Sequence, residues 1–244
     1  MPNDSAPLDA PSDALPDAAP DASSDAAPEA PLDIAAASEA LGDGRAAVLP
    51  NPSPLTYVVA ATTPGAVNRA KGRPADQEVA LWVHADAVWQ DLAPALSLSP
   101  AARRGALDLL RGERVTLLVP VSADAPCPAW AGPALRDGHL LLFGARWQPL
   151  APLLEGFPRL YVSSANRTGG PPAATAAEAT AMFGPGVAVV DADALRESGA
   201  PHAATTMLRI SREGELAHVR GGAQDRAHGP DPALYLERLR AAGA

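Results

Sequence analysis

Residues 158–184 read PRLYVSSANRTGGPPAATAAEATAMFG, an apolar run followed by small polar residues, glycines and prolines. An apolar strand ends at Val162, and the side chains of Ser163, Ser164 and Asn166 follow it directly. In open α/β sheets, ligands bind in the crevice beyond the carboxyl ends of the strands. The glycine pair that follows lets backbone N–H groups approach an anion closely. The alternative interpretation is an ordinary turn, rich in Ser and Asn, before a helix.

The same stretch continues into a helix, and strands alternate with helices on either side of it. Thr175 is a typical N-cap, Glu178 stands three residues on as in a capping box, and Gly184 ends the helix. Apolar runs such as EVALWVH and RVTLLVPV indicate buried strands. This alternation predicts one α/β domain with a mixed sheet over residues 32–225, followed by a C-terminal helical extension over residues 226–244.

A second stretch, KGRP at residues 71–74, lies between the end of a predicted helix and a buried strand. Lys71 supplies a compact charge and Arg73 a planar fork on one tight turn, and this combination suits a polyphosphate. Alternatively, both cations only stabilise the C-terminus of the helix, whose dipole favours positive charge. From this stretch alone, the second interpretation is favoured.

A third set of polar residues lies near the C-terminus. Thr205 and Thr206 begin a predicted strand, and Arg220 ends the next strand before a glycine pair. If the two strands pair, Arg220 returns to the edge of the sheet at which Thr205 begins. Threonine in a strand is, however, usually explained by β-propensity alone.

The charge of the chain is unevenly distributed. The net charge is −9, but residues 1–40 hold nine acids and no base, so the remaining residues hold 19 acids and 19 bases. Residues 1–31 repeat Asp, Ala and Pro, and we predict an acidic, disordered tail there because so little bulky apolar surface cannot offset the ordering entropy. The predicted domain is therefore neutral, and its charge does not argue against an anionic ligand.

Several classes of protein are excluded by what the sequence lacks. There is one cysteine, Cys127, so neither a disulfide framework nor a cysteine-based metal site is present. No P-loop and no GxGxxG occurs, and the five histidines are scattered without metal-ligand spacing. No apolar run is long enough to cross a bilayer, and the N-terminus is not a secretory signal. We therefore expect a cytoplasmic protein that does not act at a membrane.

These stretches, in this order, resemble the YrdC-like family, the threonylcarbamoyl-AMP synthases. The matches are KGRP at 71–74, SSANRTGGPPAATAAEATAMFG at 163–184, TT at 205–206 and RGGA at 220–223. They span roughly residues 38–223, and the second motif is long and specific. The resemblance implies a twisted α/β fold: a mixed sheet with helices on both sides and a concave, positively lined ligand groove.

The resemblance also implies a nucleotidyl transfer. L-Threonine takes up bicarbonate, the carbamate attacks the α-phosphate of ATP, and pyrophosphate leaves. Lys71 and Arg73 are then the catalytic residues that hold the phosphates, and Ser164 and Asn166 contact the nucleotide phosphate and the threonine. The other expected binding residues of the same groove are Tyr57, Thr205 and Arg220. Mg²⁺ would accompany ATP, and tRNA-modification proteins would be partners, because the adenylate serves modification of the adenosine next to the anticodon.

The sequence departs from the family pattern at three places. Pro54 and Val58 replace an acid and a glycine in the first motif, Gly144 stands where an arginine is usual, and Arg209 stands where an acid is usual. Two alternatives therefore stay open. One is a catalytically degenerate paralogue that binds nucleotide or RNA, and the other is carbamoyl transfer to a small metabolite.

Overall fold

A ten-stranded mixed sheet forms the centre of the computed structural model, which describes residues 32–197 and 199–242. The strands are β1 Ala47–Leu49, β2 Val58–Ala61, β3 Ala80–Trp82, β4 Thr116–Pro120, β5 Leu135–Arg136, β6 His139–Phe143, β7 Tyr161–Ser164, β8 Ala188–Val189, β9 Met207–Ile210 and β10 Leu216–Arg220. Their order in the sheet is β10-β9-β4-β6-β3-β7-β2-β1-β8, and β5 pairs with β6 outside this path. The predicted acidic tail lies outside the described residues.

The sheet is mixed because three of its strand pairs are parallel. These are β3 with β6, β4 with β9 and β1 with β8. The other pairs are antiparallel, and β9 and β10 form the predicted pair, with Arg220 opposite Met207. In the centre of the sheet, β7 lies antiparallel to both β2 and β3.

Helices cover both faces of the sheet, as the family resemblance implies. They are α1 Ala35–Gly42, α2 Pro64–Lys71, α3 Asp86–Leu92, α4 Pro100–Asp108, α5 Ala151–Leu154, α6 Ala176–Phe183, α7 Ala223–Arg226 and α8 Pro232–Ala242. A single π-helical turn, Leu109–Glu113, extends α4. The expected Thr175 cap is confirmed, since its hydroxyl accepts the Glu178 N–H at 3.1 Å. Within the described residues, no helix combines the length and the apolar character needed to cross a membrane.

The alternation of side chains along the strands divides the core into two layers. In β3, Leu81 packs on one face and Ala80 and Trp82 on the other. The first face is covered by α2, α3, α4, α6 and α8, and the second by α1, α5 and α7. Within α8, Tyr235 is fully buried in the layer on the first face.

One predicted strand is shorter in the structure. The sequence VAVVDA at residues 187–192 predicts a six-residue strand, but β8 comprises only Ala188 and Val189. It pairs with β1 alone, at the edge of the sheet. The Asp191 carboxylate accepts the backbone N–H of Asp193 at 3.0 Å, and this bond starts a turn that ends the strand.

Candidate functional site

A cavity of about 390 Å³ opens on the second face of the sheet. Its floor is apolar and comes from central strands, with Val58 of β2, Ala80 of β3, Phe143 of β6 and Val162 of β7. Its rim is polar and carries four cationic side chains, from Lys71, Arg73, Arg136 and Arg220. A concave site with an apolar floor and a few charged groups is the usual form of a small-molecule site.

Six of the seven predicted site residues line this cavity. They are Lys71, Arg73, Ser164, Asn166, Thr205 and Arg220. The structure therefore brings together four segments that are far apart in the sequence. We refer to Lys71, Arg73, Ser164 and Asn166 as the Lys71 corner, and to Thr116, Thr205 and Arg220 as the Arg220 corner. The seventh residue, Tyr57, does not line the cavity.

Lys71 is almost completely buried, with 3% of its surface exposed. It is the last residue of α2, and Gly72 ends the helix in the left-handed conformation, with φ of 66°. The Lys71 ammonium donates to the carbonyl oxygens of Ser164 and Asn166 and to Asn166 Oδ1, the last two at 2.7 and 2.8 Å. An ammonium has three protons, so all of them are directed to the loop that follows β7.

The environment of Lys71 changes its protonation. Burial, and secondarily the charge of Arg73, lower the pKa of Lys71 from 10.5 to about 7. The three oxygen acceptors act in the opposite direction, because they favour the charged ammonium. Lys71 consequently titrates near neutral pH, and its positive charge is available to a ligand mainly below that range.

Asn166 fixes the conformation of the loop. Its Oδ1 accepts from the Ser164 hydroxyl at 2.6 Å as well as from Lys71. Its amide Nδ2 donates to the carbonyl oxygens of Arg167 and Gly170, at 3.0 and 2.9 Å. Every hydrogen-bonding group of the Asn166 side chain thus has a partner, either within the Lys71 corner or in the loop that follows it, so Asn166 holds the shape of the loop around Lys71.

Arg73 is positioned by a residue that the sequence interpretation missed. The side chain of Asn68, in α2, is buried, and its Oδ1 accepts from Arg73 Nε at 2.5 Å. Asn68 Nδ2 donates to the carbonyl oxygens of Ala75 and Gln77, so it also fixes the turn after KGRP. Burial lowers the pKa of Arg73, but an arginine stays charged at neutral pH.

The Arg220 corner is built differently. Arg220 is exposed as a residue, but partial burial of its guanidinium lowers its pKa. Among the described residues, the guanidinium donates one hydrogen bond, to the Thr205 carbonyl at 3.2 Å. Thr205 is buried, and its hydroxyl lies 2.6 Å from the hydroxyl of Thr116 in β4. Gly222 packs directly on the backbone of residues 204–206, where any Cβ would overlap it. Gly222 is therefore needed to bring the end of β10 to this corner.

Tyr57 supports the loop from behind. Its side chain is fully buried and its hydroxyl donates to Asp193 Oδ1 at 2.8 Å. Burial, and secondarily the hydrogen bond to Asp193, raise the pKa of Tyr57. Its backbone bonds both ends of the loop, to Ala173 O at 2.9 Å and from Ala165 N at 3.0 Å. The structure therefore places Tyr57 in the support of the site rather than on its surface.

Gly144 stands where the family pattern has an arginine, and the structure explains why this position has no side chain. A Cβ at Gly144 would overlap the backbone of Leu110, so the π-helical turn occupies the space that a side chain would need. The neighbouring Arg146 does not replace it in the cavity, because its guanidinium binds Asp86 at 2.8 Å and the Val83 carbonyl at 3.1 Å.

Arg136 and Glu78 also line the cavity and were not among the predicted residues. Arg136 ends β5 and precedes a two-residue turn, in which Asp137 and Gly138 have φ of 47° and 73°. An Asp-Gly pair between apolar runs is a strong hairpin signal, and it would have placed Arg136 beside β6. Glu78 has no comparable signal in the sequence.

Comparison with solved structures identifies proteins of the same fold. The chain is similar to Sua5 from P. abyssi, crystallised with L-threonine, with a TM-score of 0.55 and 20% identity over 77% of this chain and 53% of that one. For E. coli YciO the TM-score is 0.55 and the identity 15%, over 78% of this chain and 89% of that one. For HypF in its phosphate- and nucleotide-bound form the values are 0.57 and 13%, over 80% and 29%.

The likeness establishes an α/β fold of the YrdC-like class. Sua5 and YciO are proteins with YrdC-like domains, so the fold that the motifs predicted is confirmed. The chain spans about half the length of the Sua5 structures, 53% and 55%. The sequence itself matches no protein-family model and no curated protein.

Proposed function

We propose that this protein is a nucleotidyltransferase that forms L-threonylcarbamoyladenylate from ATP, L-threonine and bicarbonate. The observation that carries the proposal is the convergence of Lys71, Arg73, Ser164, Asn166, Thr205 and Arg220 on one cavity. Supporting it, one protein of similar fold was crystallised with L-threonine and another with phosphate and nucleotide. The adenylate would serve the modification of adenosine next to the anticodon, with tRNA-modification proteins as partners.

The proposed reaction has two steps. The ammonium group of threonine loses a proton, and the amine nitrogen attacks the carbon of bicarbonate, which releases water and leaves a carbamate. A carbamate oxygen then attacks the α-phosphorus of ATP, and the bond to the β-phosphate oxygen breaks as pyrophosphate leaves. Both steps bring anions together, so the cationic rim lowers the barrier by positioning them and neutralising their charge.

The two corners take different parts in this scheme. Arg73 binds phosphate oxygens through its planar fork, and Lys71 acts mainly through its charge, because its protons are donated to the loop. Arg220 binds the same ATP molecule from the other corner, next to the Thr205 carbonyl. The apolar floor excludes water from the reacting carbamate and so protects it from loss of carbon dioxide.

Mg²⁺ would enter with ATP rather than occupy a site made by protein side chains. Among the described residues, no group of three or more His, Cys, Asp or Glu side chains could hold a metal ion. Mg²⁺ is commonly bound by substrate phosphates with few protein ligands, and such a site fits this cavity. The ion would neutralise part of the charge on the phosphates.

Pyrophosphate release tests the proposed function. Purified protein is incubated with MgATP, L-threonine and bicarbonate, and each component is omitted in turn. Release that requires all three supports the proposal, and the nucleotide product should carry the mass of threonylcarbamoyl-AMP. Hydrolysis without threonine, or no release although ATP binds, contradicts it. For substitutions of Arg73 or Arg220 in this assay, Arg212→Gln is the matched control, because it changes an exposed arginine outside the cavity.

A second candidate function is nucleotide binding without turnover. The observation that favours it is Gly144, where an arginine is usual in the family and the π-helical turn leaves no room for a side chain. Under this alternative ATP or AMP binds, yet neither threonine nor bicarbonate causes pyrophosphate release. The same incubation distinguishes the two candidates. A third candidate function is carbamoyl transfer to a small metabolite. This reaction would not require threonine.

A further inference from the structure

The cavity contains one group whose charge opposes all its other charges. Among the described residues that line it, Glu78 is the sole carboxylate, beside the cations Lys71, Arg73, Arg136 and Arg220. Glu78 lies on the segment that leads from KGRP into β3, five residues after Arg73. Glu78 is exposed and lines the cavity.

Glu78 is not explained by an ion pair within the protein. Within the part of the chain that the structure describes, its carboxylate forms no salt bridge. Its charge reaches the cavity, since it favours the charged form of Arg73. A carboxylate there repels the phosphates of a nucleotide, so for a purely anionic ligand Glu78 is unfavourable.

The unfavourable charge has a use if one substrate carries a cation. We infer that Glu78 receives the ammonium group of an amino-acid substrate and makes the cavity specific for a primary amine. This inference rests on the proposed function, because it assigns the second substrate of the same site. An ion pair between the ammonium and Glu78 leaves the substrate carboxylate for the surrounding cations, so the cavity favours a zwitterionic amino acid over the same acid without its amine.

The role assigned to Glu78 is recognition and not proton abstraction. An ion pair with a carboxylate stabilises the charged ammonium form, so Glu78 does not act as the base that removes the proton. The proton therefore leaves to solvent before the nitrogen attacks bicarbonate.

Two changes test the inference together. One removes the amine from the ligand, and the other removes the charge of Glu78 from the protein. L-Threonine and (R)-3-hydroxybutyrate, which has the same skeleton without the amine, are titrated in the presence of a non-hydrolysable ATP analogue. The wild type should bind threonine roughly tenfold or more tightly than the deaminated compound. Glu78→Gln should abolish most of this preference and should bind the ATP analogue as well as, or better than, the wild type.

Asp76→Asn is the matched control, because Asp76 is an exposed acid on the same segment that does not line the cavity. It should keep the preference for threonine. The inference is overturned if Glu78→Gln keeps the preference, or if it weakens binding of the magnesium–nucleotide complex, which would assign the carboxylate to the metal. Failure of the proposed function is a separate result, since the wild type would then bind no ATP analogue or show no threonine-dependent release.

Discussion

The Lys71 corner and the Arg220 corner present the same kind of charge to one cavity, but they are built in opposite ways. Lys71 is buried and donates three hydrogen bonds to the loop after β7. Arg220 is exposed and donates one, to Thr205. Lys71 therefore both faces the ligand and holds the loop in place. Arg220 faces the ligand, but other residues hold the structure around it.

Because of this difference, we expect substitutions in the two corners to affect stability differently, although both should affect binding. A buried acceptor that loses its donor costs about 1–3 kcal/mol, while a surface cation contributes little to folding. Substitution in the Lys71 corner should then lower both stability and affinity. Substitution in the Arg220 corner should lower affinity alone.

The largest effect is expected for Lys71→Met, which keeps the apolar stem and removes the ammonium. We expect the free energy of unfolding to fall by about 2 kcal/mol, because the acceptors in the loop lose their donor. Urea denaturation measures this change, and hydrogen exchange should show faster exchange in residues 164–170. Unchanged stability with protected loop amides would show that the hydrogen bonds of Lys71 do not support the loop.

The second-largest effect is expected for Arg220→Gln, and it should be on ATP affinity. Loss of one charge-assisted contact, about 1.5–3 kcal/mol, should weaken ATP binding roughly tenfold to hundredfold. The free energy of unfolding should change by less than about 0.5 kcal/mol, as for other surface substitutions. Calorimetric titration and urea denaturation give both values. A loss of stability as large as that of Lys71→Met would remove the distinction between the corners.

A smaller and pH-dependent effect should follow from the pKa of Lys71, lowered to about 7 mainly by burial. Between about pH 7 and 10.5 the folded protein has lost a proton that the unfolded chain keeps, so the free energy of unfolding should rise with pH in this window. ATP affinity should fall in the same window, because the charge of Lys71 is lost. Lys71→Met should flatten both profiles, and Arg220→Gln should keep them. Equal profiles for wild type and Lys71→Met would contradict this assignment.

The smallest effect is expected for Tyr57→Phe, which tests a residue that the sequence assigned to binding. The hydroxyl bonds Asp193 behind the loop, so stability should fall by about 1 kcal/mol. Affinity for ATP and threonine should stay within about twofold of the wild type, because Tyr57 does not line the cavity. If affinity fell while stability stayed unchanged, Tyr57 would be a ligand-binding residue and not a support of the loop.

Local chemistry made much of this molecule predictable. The strand β7, the loop and the Thr175-capped helix α6 follow from periodicity, glycines and a capping pattern that act over a few residues. The convergence of residues 71–73 with residues 164–166 followed from the family resemblance, since no local rule links positions so far apart.

Other features depend on contacts that a sequence does not display. The three acceptors of Lys71 are mostly backbone oxygens, which every residue carries and which leave no trace in the side-chain pattern. The same holds for Gly144, whose lack of a side chain is explained by the backbone of Leu110. From the sequence alone, Glu78 is an ordinary surface acid, and only the structure shows that it shares a cavity with several cations.

One measurement tests the central claim that both corners bind the same ligand. MgATP is titrated calorimetrically into the wild type, Arg73→Gln, Arg220→Gln and the double variant. If one ligand contacts both corners, each single substitution should lower the affinity roughly tenfold or more, and the losses should approximately add in the double variant. Wild-type affinity in Arg220→Gln, and no additional loss in the double variant, would contradict the account.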